Sequence, residues 1–598
     1  MTRSDESTAD DVSSRSGTVR SNGGSRSSRE FERSDADGFS QRMSLKGMGL
    51  TDEARVGRPV IGICNTWSEF VHCNIHFRAL AEHVRRGIHQ AGGLAFEFPV
   101  TSLGEPFMKP TTMLYRNLMA MDVEENIRAY PMDAVVLLVG CDKTIPAAIM
   151  GALSADVPAI VLPGGPQLNA KVEGRSVGAC TDCWRTLEAV RAGVADEGSV
   201  AAVEDGIVRS IGHCPTMGTA STMACLAEAL GLTLPGAAAI PAADSRRNRL
   251  AEQTGRMAVD VAKRGVTPQV IVTPSAVVNA ITVLQAIAGS TNAVIHLSAI
   301  ARRAGIDLPL SRFDEIGRST PLLVNVKPAG EYLMEDFFFA GGVPVVMNEL
   351  RDALDLDART VTGESWAELL NDVAPPDGTI IHSRANPIRE DGSIVVLSGN
   401  LCPDGAVLKV AAADAVLMQH QGRARVFESL QDVLDRIDDE SMGFEADDVL
   451  ILRGLGPVGA PGMPEAGHVP LPQSLLRRGV TDMVRISDAR MSGTAYGTCI
   501  LHVAPEAAVG GPLALVKEGD LVRLDVPARR LDVLLDDAEL SRRRDQWAAP
   551  VPRAVRGYER LYVTHVEQAN LGCDFDFLGE NTHVAADLVD SARPMPGR

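Results

Sequence analysis

Met132-Asp133-Ala134-Val135-Val136-Leu137-Leu138-Val139-Gly140-Cys141-Asp142-Lys143-Thr144 is the stretch whose reading decides the fold. Its apolar run is nearly continuous, the pattern of a parallel strand buried on both faces. Pro146 follows where a helix can begin, because its fixed φ and missing N–H cost nothing in a first helical turn. A thiol, a carboxylate and an amine therefore sit side by side where a strand gives way to a loop. In open α/β sheets that rim, beyond the carboxyl ends of the strands, is where ligands bind. Taken alone, the tetrapeptide Cys141 to Thr144 reads equally well as a buried cysteine beside an Asp–Lys ion pair.

The flanking sequence repeats the pattern. Arg58 to Cys64 is a short strand candidate, and Phe77, Leu80, Val84 and Ile88 then fall on one helical face that ends at Gly92-Gly93. Leu94 to Val100 is a second strand, followed by a loop carrying Glu105, and Pro158 to Leu162 is a fourth after a short helix. Strand–helix alternation of this kind predicts βαβ units and a mainly parallel sheet. Cys73, Glu105 and Cys141 to Lys143 all follow strand ends, so the topology lets them converge on one rim. Further on, Cys214 precedes a helix running to about Gly231, and Gly289-Ser290-Thr291-Asn292 interrupts two helical stretches. Small polar residues opening a helix offer free N–H groups to an anion such as a carboxylate, although a plain cap has the same composition.

From about residue 390 the texture changes to short β-branched segments, Ile394 to Leu397, Asp448 to Leu452 and Asp482 to Ile486, among Gly/Pro-rich loops. Asp520 to Val526 and Arg530 to Leu535 read as a hairpin. The expected class is α/β: an N-terminal parallel-sheet α/β/α domain over residues 39–388, then a C-terminal β-barrel-like domain over 389–598. Residues 1–38, rich in Ser, Arg, Asp, Gly and Glu, read as a disordered tail without the apolar core of a secretory signal.

At 598 residues the chain is too long for one core, and its 45% hydrophobic and 23% charged content is that of a globular protein. A formal net charge of −19 disfavours a nucleic-acid partner. No apolar stretch reaches the roughly 18–20 residues that cross a bilayer, so no membrane partner is expected. Ten scattered cysteines fit a reducing cytoplasm and leave some thiols free to be ligands. Cys180-Thr181-Asp182-Cys183 is the single CxxC. Without a second such pair or a histidine cluster beside it, it reads as incidental. Cys64, Cys225, Cys402, Cys499 and Cys573 read as packing residues. Cys73, Cys141 and Cys214 lie in loops beside polar residues, where an inorganic cluster can be held.

Read together, the motifs carry more. They are Asn65-Thr66-Trp67 with Cys73-Asn74, Gly140 to Thr144, Cys214 through Met217-Gly218-Thr219-Ala220-Ser221-Thr222-Met223, and Gly289 to Val294. Gly399-Asn400-Leu401, Pro461-Gly462-Met463-Pro464-Glu465 and Asp488-Ala489-Arg490-Met491-Ser492-Gly493 continue the series. In this order the chain resembles the IlvD/Edd dehydratases over about residues 40–585. That family includes dihydroxy-acid dehydratase, 6-phosphogluconate dehydratase and the sugar-acid dehydratases. Asn65 to Ser68, Thr216 to Thr219 and Ser492 to Thr498 are worded most like the enzymes acting on L-arabinonate or D-xylonate.

The resemblance implies roles by position. Cys73, Cys141 and Cys214 match ligands of an iron–sulfur cluster, [2Fe–2S] for the sugar-acid branch, with [4Fe–4S] left open. Glu105, Asp142 and Glu465 match ligands of Mg²⁺. Lys143 matches a lysine carbamylated in several members, a change that turns an ammonium into an oxygen donor suited to Mg²⁺. Ser492 matches the base, while Thr494 and Ser290, Thr291 and Asn292 are expected to bind substrate. The implied reaction dehydrates a 2,3-dihydroxy carboxylate to a 2-keto-3-deoxy acid. The alternative substrate is the dihydroxy acid of branched-chain amino-acid synthesis. A homodimer or homotetramer is implied as the assembly.

Overall fold

In the computed structural model, which describes residues 25–551 and 554–579, order begins earlier than the composition of the tail predicts. Helix α1 (Arg26–Phe31) starts at Ser25, whose hydroxyl accepts from Ser28 N, and α2 (Ala36–Gly47) follows. The tail expectation therefore fails for residues 25–38, while residues 1–24 lie outside the described residues. The anchor is remote in sequence. Ser27 donates from N and Oγ to the Asp133 carboxylate at 3.0 and 2.6 Å, and Val60 N donates to it at 2.7 Å. One buried acid thus satisfies the entry to the first strand and the amino-terminal helix together.

The chain then winds β1 (Val60–Asn65), α3 (Phe77–Gln90), β2 (Leu94–Pro99), α4 (Arg116–Ala129), β3 (Ala134–Val139), α5 (Thr144–Ala155) and β4 (Ala159–Pro163). The four strands pair parallel in the order β2-β1-β3-β4. Every residue of β1, β3 and β4 is buried, as the unbroken apolar runs require of strands covered on both faces. Helix α5 is apolar all round, and Thr144 through Leu153 are buried.

A small hairpin, β5 (Ala170–Val172) with β6 (Arg175–Val177), leads into α6 (Thr181–Ala192). Then come α7 (Thr219–Ala229), α8 (Ser245–Arg264), α9 (Pro274–Ala286) and α10 (Asn292–Arg303). The break that Gly289 to Thr291 makes between α9 and α10 is the one expected from sequence.

The C-terminal domain holds β7 (Val395–Leu397), β8 (Gly405–Leu408), β9 (Gln419–Phe427), β10 (Val449–Leu452), β11 (Arg485–Ser487), β12 (Cys499–Ala504), β13 (Leu521–Asp525) and β14 (Arg530–Val533). They form one eight-stranded sheet, β14-β13-β9-β10-β11-β12-β8-β7. Its centre, β9 to β12, is parallel and its flanks are antiparallel, the expected β13–β14 hairpin among them. The two edges meet: Ser398 bridges Arg530, and Asn400 exchanges hydrogen bonds with Val533 at 2.8 and 2.9 Å. This brings the sheet close to a barrel and covers edges that would otherwise pair with other chains. Period-2 alternation builds two cores from one strand: Val449 and Ile451 face the barrel, Leu450 and Leu452 the helices outside it.

The last described segment leaves the barrel. Tyr558 on α11 (Gly557–His565) donates to Leu114 O at 2.9 Å, and Arg116 donates to the carbonyls of Gly572 and Cys573 at 2.9 and 2.8 Å. Residues 557–578 thus pack on the N-terminal domain, although the division at 388/389 assigns them to the other; residues 580–598 lie outside the described residues.

Candidate active site

The strand ends of the first sheet are pinned to one another before any chemistry is added. Thr66 Oγ1, just past β1, donates to Leu138 O at 2.9 Å; Asn74 Nδ2 and Ser102 Oγ both donate to Thr66 O, at 2.9 and 2.6 Å. The loops after β1 and β2 are therefore tied to each other and to the end of β3. Gly140 is obligatory in this frame, because a Cβ there would lie 2.7 Å from both Asn74 Oδ1 and Phe77 Cζ. Thr144 Oγ1 accepts from the amides of Gly140 and Cys141 at 3.2 and 3.0 Å, which fixes the Cys141-Asp142-Lys143 turn.

Lys143 is fully buried, and its ammonium sits among three carboxylates: Asp142 Oδ2 at 2.6 Å, Glu465 Oε1 at 3.0 Å and Glu105 Oε2 at 3.7 Å. Burial and the nearby Arg490 guanidinium pull its pKa down, but the three acids outweigh them and hold the proton more tightly than in water. Burial pushes the Glu465 carboxyl up, and the Lys143 and Arg490 cations more than reverse that, leaving it below the usual carboxylate range. Glu465 comes from the barrel side. Arg490 Nη1 donates to it at 2.8 Å and Asn292 Nδ2 at 2.8 Å, so three polymer segments close on one carboxylate. Glu105 is held by the hydroxyls of Thr111, at 2.9 Å, and Thr112.

The thiols lie beside this polar cluster. Cys141 Sγ donates to Asp142 Oδ1 at 3.3 Å, and Cys73 shares a small buried cluster with Cys141 and Val71. Cys214 stands 3.9 Å, sulfur to sulfur, from Cys180 at the start of α6. Hydrogen bonding to Cys141 and burial push the Cys73 thiol well up, and hydrogen bonding to Cys180 and burial do the same to Cys214. All ten cysteines are free thiols.

The third part is the loop Met491 to Thr494. Ser492 Oγ and Thr494 Oγ1 share a hydrogen bond of 2.8 Å, and Thr181 Oγ1 at the head of α6 donates to Thr494 O at 2.7 Å. Gly493 lets this loop lie against α7 and α10: a Cβ there would come within 2.6 Å of Ser290 Oγ and Thr219 N. Ser290 shares a hydrogen bond with Thr219 Oγ1 at 2.9 Å. Asn292, expected on the substrate, spends Nδ2 on Thr219 Oγ1, Glu465 and Met491 O, while its Oδ1 and the Thr291 hydroxyl are buried without a protein partner.

Two anchors escaped the sequence reading: Arg490, a member of a quoted motif given no role, and Cys180, set aside as incidental. A lone CxxC carries no spatial information, so only the fold could bring Cys180 to Cys214.

The donor set fits both expected inorganic groups. Three half-buried hard oxygen acids already gather round one positive charge, as a divalent cation needs, although among the described residues no three Asp, Glu, His or Cys side chains close to the spacing of one metal ion. The ammonium of Lys143 takes that central place here. Soft thiols for a cluster adjoin those acids, with Cys141 touching Asp142.

Comparison with known proteins decides the family. The dihydroxy-acid/6-phosphogluconate dehydratase N-terminal family matches residues 58–369 and its C-terminal counterpart residues 379–573. The chain belongs to the dihydroxy-acid/6-phosphogluconate dehydratase family. It is 52% identical over 562 residues to an L-arabonate dehydratase of Azospirillum brasilense, covering 92% of this chain and 96% of the relative. It is 49% identical over 559 residues to a 6-deoxy-6-sulfo-D-gluconate dehydratase of Pseudomonas putida, covering 92% and 96%. Identity falls to 39% over 541 residues with a dihydroxy-acid dehydratase of Acidothermus cellulolyticus, covering 89% and 95%. As a dehydratase the chain is a hydro-lyase, and its polar cluster and thiols fall within the two matched family regions. Among the described residues no helix is long and apolar enough to cross a membrane.

Proposed function

We propose that the protein dehydrates an aldonate, with L-arabinonate or D-xylonate as the substrate class, to the 2-keto-3-deoxy acid. The observation that carries the reading is the ring of Asp142, Glu465 and Glu105 about Lys143, beside free thiols and the Ser492–Thr494 hydroxyl pair. Identity of 49–52% to L-arabonate, L-arabinonate and 6-deoxy-6-sulfo-D-gluconate dehydratases, against 38–39% to dihydroxy-acid dehydratases, supports a polyol substrate, and the 38% to a D-xylonate dehydratase puts L-arabinonate ahead of D-xylonate.

Cys73, Cys141 and Cys214 would hold a [2Fe–2S] cluster; Glu105, Asp142, Glu465 and a carbamylated Lys143 would hold Mg²⁺. When bound, these groups supply Lewis acidity for the carboxylate and for the departing hydroxyl. Carbamylation removes the ammonium that now occupies the place between the three acids, leaving Arg490 paired with Glu465 alone. Arg490 and Asn292 then keep Glu465 aimed at the same point. Ser492 Oγ takes the C2 proton of the substrate; Thr494 Oγ1, 2.8 Å away, donates to it and steadies the alkoxide it must become. The C3–O bond breaks as the C2–H bond does, the proton Ser492 has taken passes to the departing hydroxide so that water leaves and the alkoxide is restored, and the enol released tautomerises to the ketone. The unpartnered Thr291 hydroxyl and Asn292 Oδ1 are polar groups available to a polyol. Ten free thiols and no disulfide support a cytoplasmic setting.

The test is anaerobic incubation of the reconstituted protein with Mg²⁺ and L-arabinonate in D₂O. A 2-keto-3-deoxy acid carrying one deuterium at C3 is expected; absence of any keto acid from L-arabinonate, D-xylonate and D-gluconate alike overturns the reading.

A further inference from the structure

Cys180 is a thiol outside the expected ligand set that nonetheless faces the site. Its sulfur lies 3.9 Å from Cys214 Sγ. Two thiolates bound at about 2.3 Å to one tetrahedral metal stand about 3.8 Å apart, so this is the spacing of two ligands on a single iron. Cys73 and Cys141 share a small buried cluster with Val71, and Cys141 and Cys180 both act electrostatically on Cys214. Two pairs of cysteines are the ligand arrangement of a fully thiolate-bound two-iron cluster.

The backbone holds Cys180 in this place at a cost. Its φ of +71° and ψ of −49° belong to the strained form of the γ-turn, a conformation a glycine adopts more readily than a residue with a Cβ. The next residue, Thr181, ties the turn to Thr494 O at 2.7 Å, so Cys180 sits between Cys214 and the Ser492–Thr494 loop. Cys183, one helical turn on, is half-buried in the apolar cluster of Val172, Val177 and Val203 that Cys214 also borders, while the close sulfur contact of Cys214 is with Cys180.

We propose that Cys180 is a fourth, displaceable thiolate of the cluster, closing the iron held by Cys214 in the resting enzyme and yielding that position to the substrate's hydroxyl. The inference rests on the cluster reading above. The exchange involves no redox change. On closing, the Cys180 thiol releases its proton to solvent and a sulfur–iron bond replaces a bond to water. On opening, that bond breaks, the thiolate takes a proton back, and the substrate oxygen occupies the position. Such a cap shields the reactive iron from oxidants between turnovers.

The test uses the full chain, reconstituted anaerobically with ferrous iron and sulfide and then reduced, with electron paramagnetic resonance recorded in ordinary and ¹⁷O-enriched water. Cys180→Ala and Cys180→Gly are compared with the wild type; the glycine variant suits the positive φ and guards against misfolding, with melting temperatures as the control. The expected result is a wild-type spectrum unaffected by ¹⁷O and variant spectra that are broadened by it, with shifted g values. Equal broadening and identical g values in all three overturn the proposal while leaving the cluster in place. A wild type that assembles no cluster overturns the cluster reading itself, and this inference with it.

Discussion

Lys143 Nζ lies 3.0 Å from Glu465 Oε1, a carboxylate 322 residues further along the chain. This contact joins the rim of the parallel sheet to the barrel domain, and Arg490 and Asn292 complete it from two further segments. Neither domain owns the site.

The two ways of altering Glu465 separate its charge from its packing. Glu465→Leu leaves the buried Lys143, Arg490 and Asn292 short of an acceptor, and breaking such a network costs about 3–5 kcal/mol. Its melting temperature should fall clearly below that of Glu465→Gln, which keeps an acceptor oxygen. Turnover should be lost in both, by at least about 100-fold, the scale of removing one charge-stabilising group. Thermal melts alongside keto-acid assays check this.

Ser492→Ala should lower kcat by roughly 10²–10⁴-fold, the usual range for a positioned proton acceptor. Ser492 is half-buried and its side chain is engaged only within its own turn, with Thr494, so the melting temperature should not move. Wild-type kcat in this variant would remove Ser492 from the role.

Gly493→Ala tests the loop rather than the base. The added Cβ needs space that Ser290 Oγ and Thr219 N occupy at 2.6 Å, so the loop must withdraw from α7 and α10. Activity should drop at least about tenfold through misplacement of Ser492, because small displacements of reacting groups are costly. Unchanged kcat/KM would mean the loop tolerates the shift.

Lys409 offers a stability test away from the site. It is fully buried, its Nζ has no partner, and burial pulls its pKa down to about 7. An unfolded lysine titrates near about 10.4, so between those values the unfolded chain binds the extra proton and stability rises with pH; below about 7 the penalty is constant. Lys409→Met removes a cost of the order of a few kcal/mol at neutral pH. It should melt higher than the wild type at pH 7, with the difference shrinking towards pH 10. Equal melting temperatures at pH 7 would contradict this.

The strands were legible because burial writes itself into composition: β1, β3 and β4 are apolar runs, and the Pro527-Ala528-Arg529 turn marks the β13–β14 hairpin. The motif residues were legible as loops at strand ends, and the fold does bring Cys141, Asp142, Lys143, Glu105 and Glu465 together. What stayed hidden depends on distant partners. Arg26–Phe31 has little to bury and forms because Asp133 receives Ser27. Residues 557–578 follow the barrel in sequence yet satisfy Arg116 and the Leu114 carbonyl on the other domain. Cys180 carries no signal until the loop before α7 places Cys214 beside it.

The central claim is tested most directly by kcat/KM of the anaerobically reconstituted, Mg²⁺-supplied enzyme for L-arabinonate against 2,3-dihydroxyisovalerate. The account predicts a preference of at least about tenfold for the aldonate, because polar groups left unpaired by an apolar substrate penalise it. A preference for dihydroxyisovalerate would contradict it and move the substrate pocket to an apolar branch.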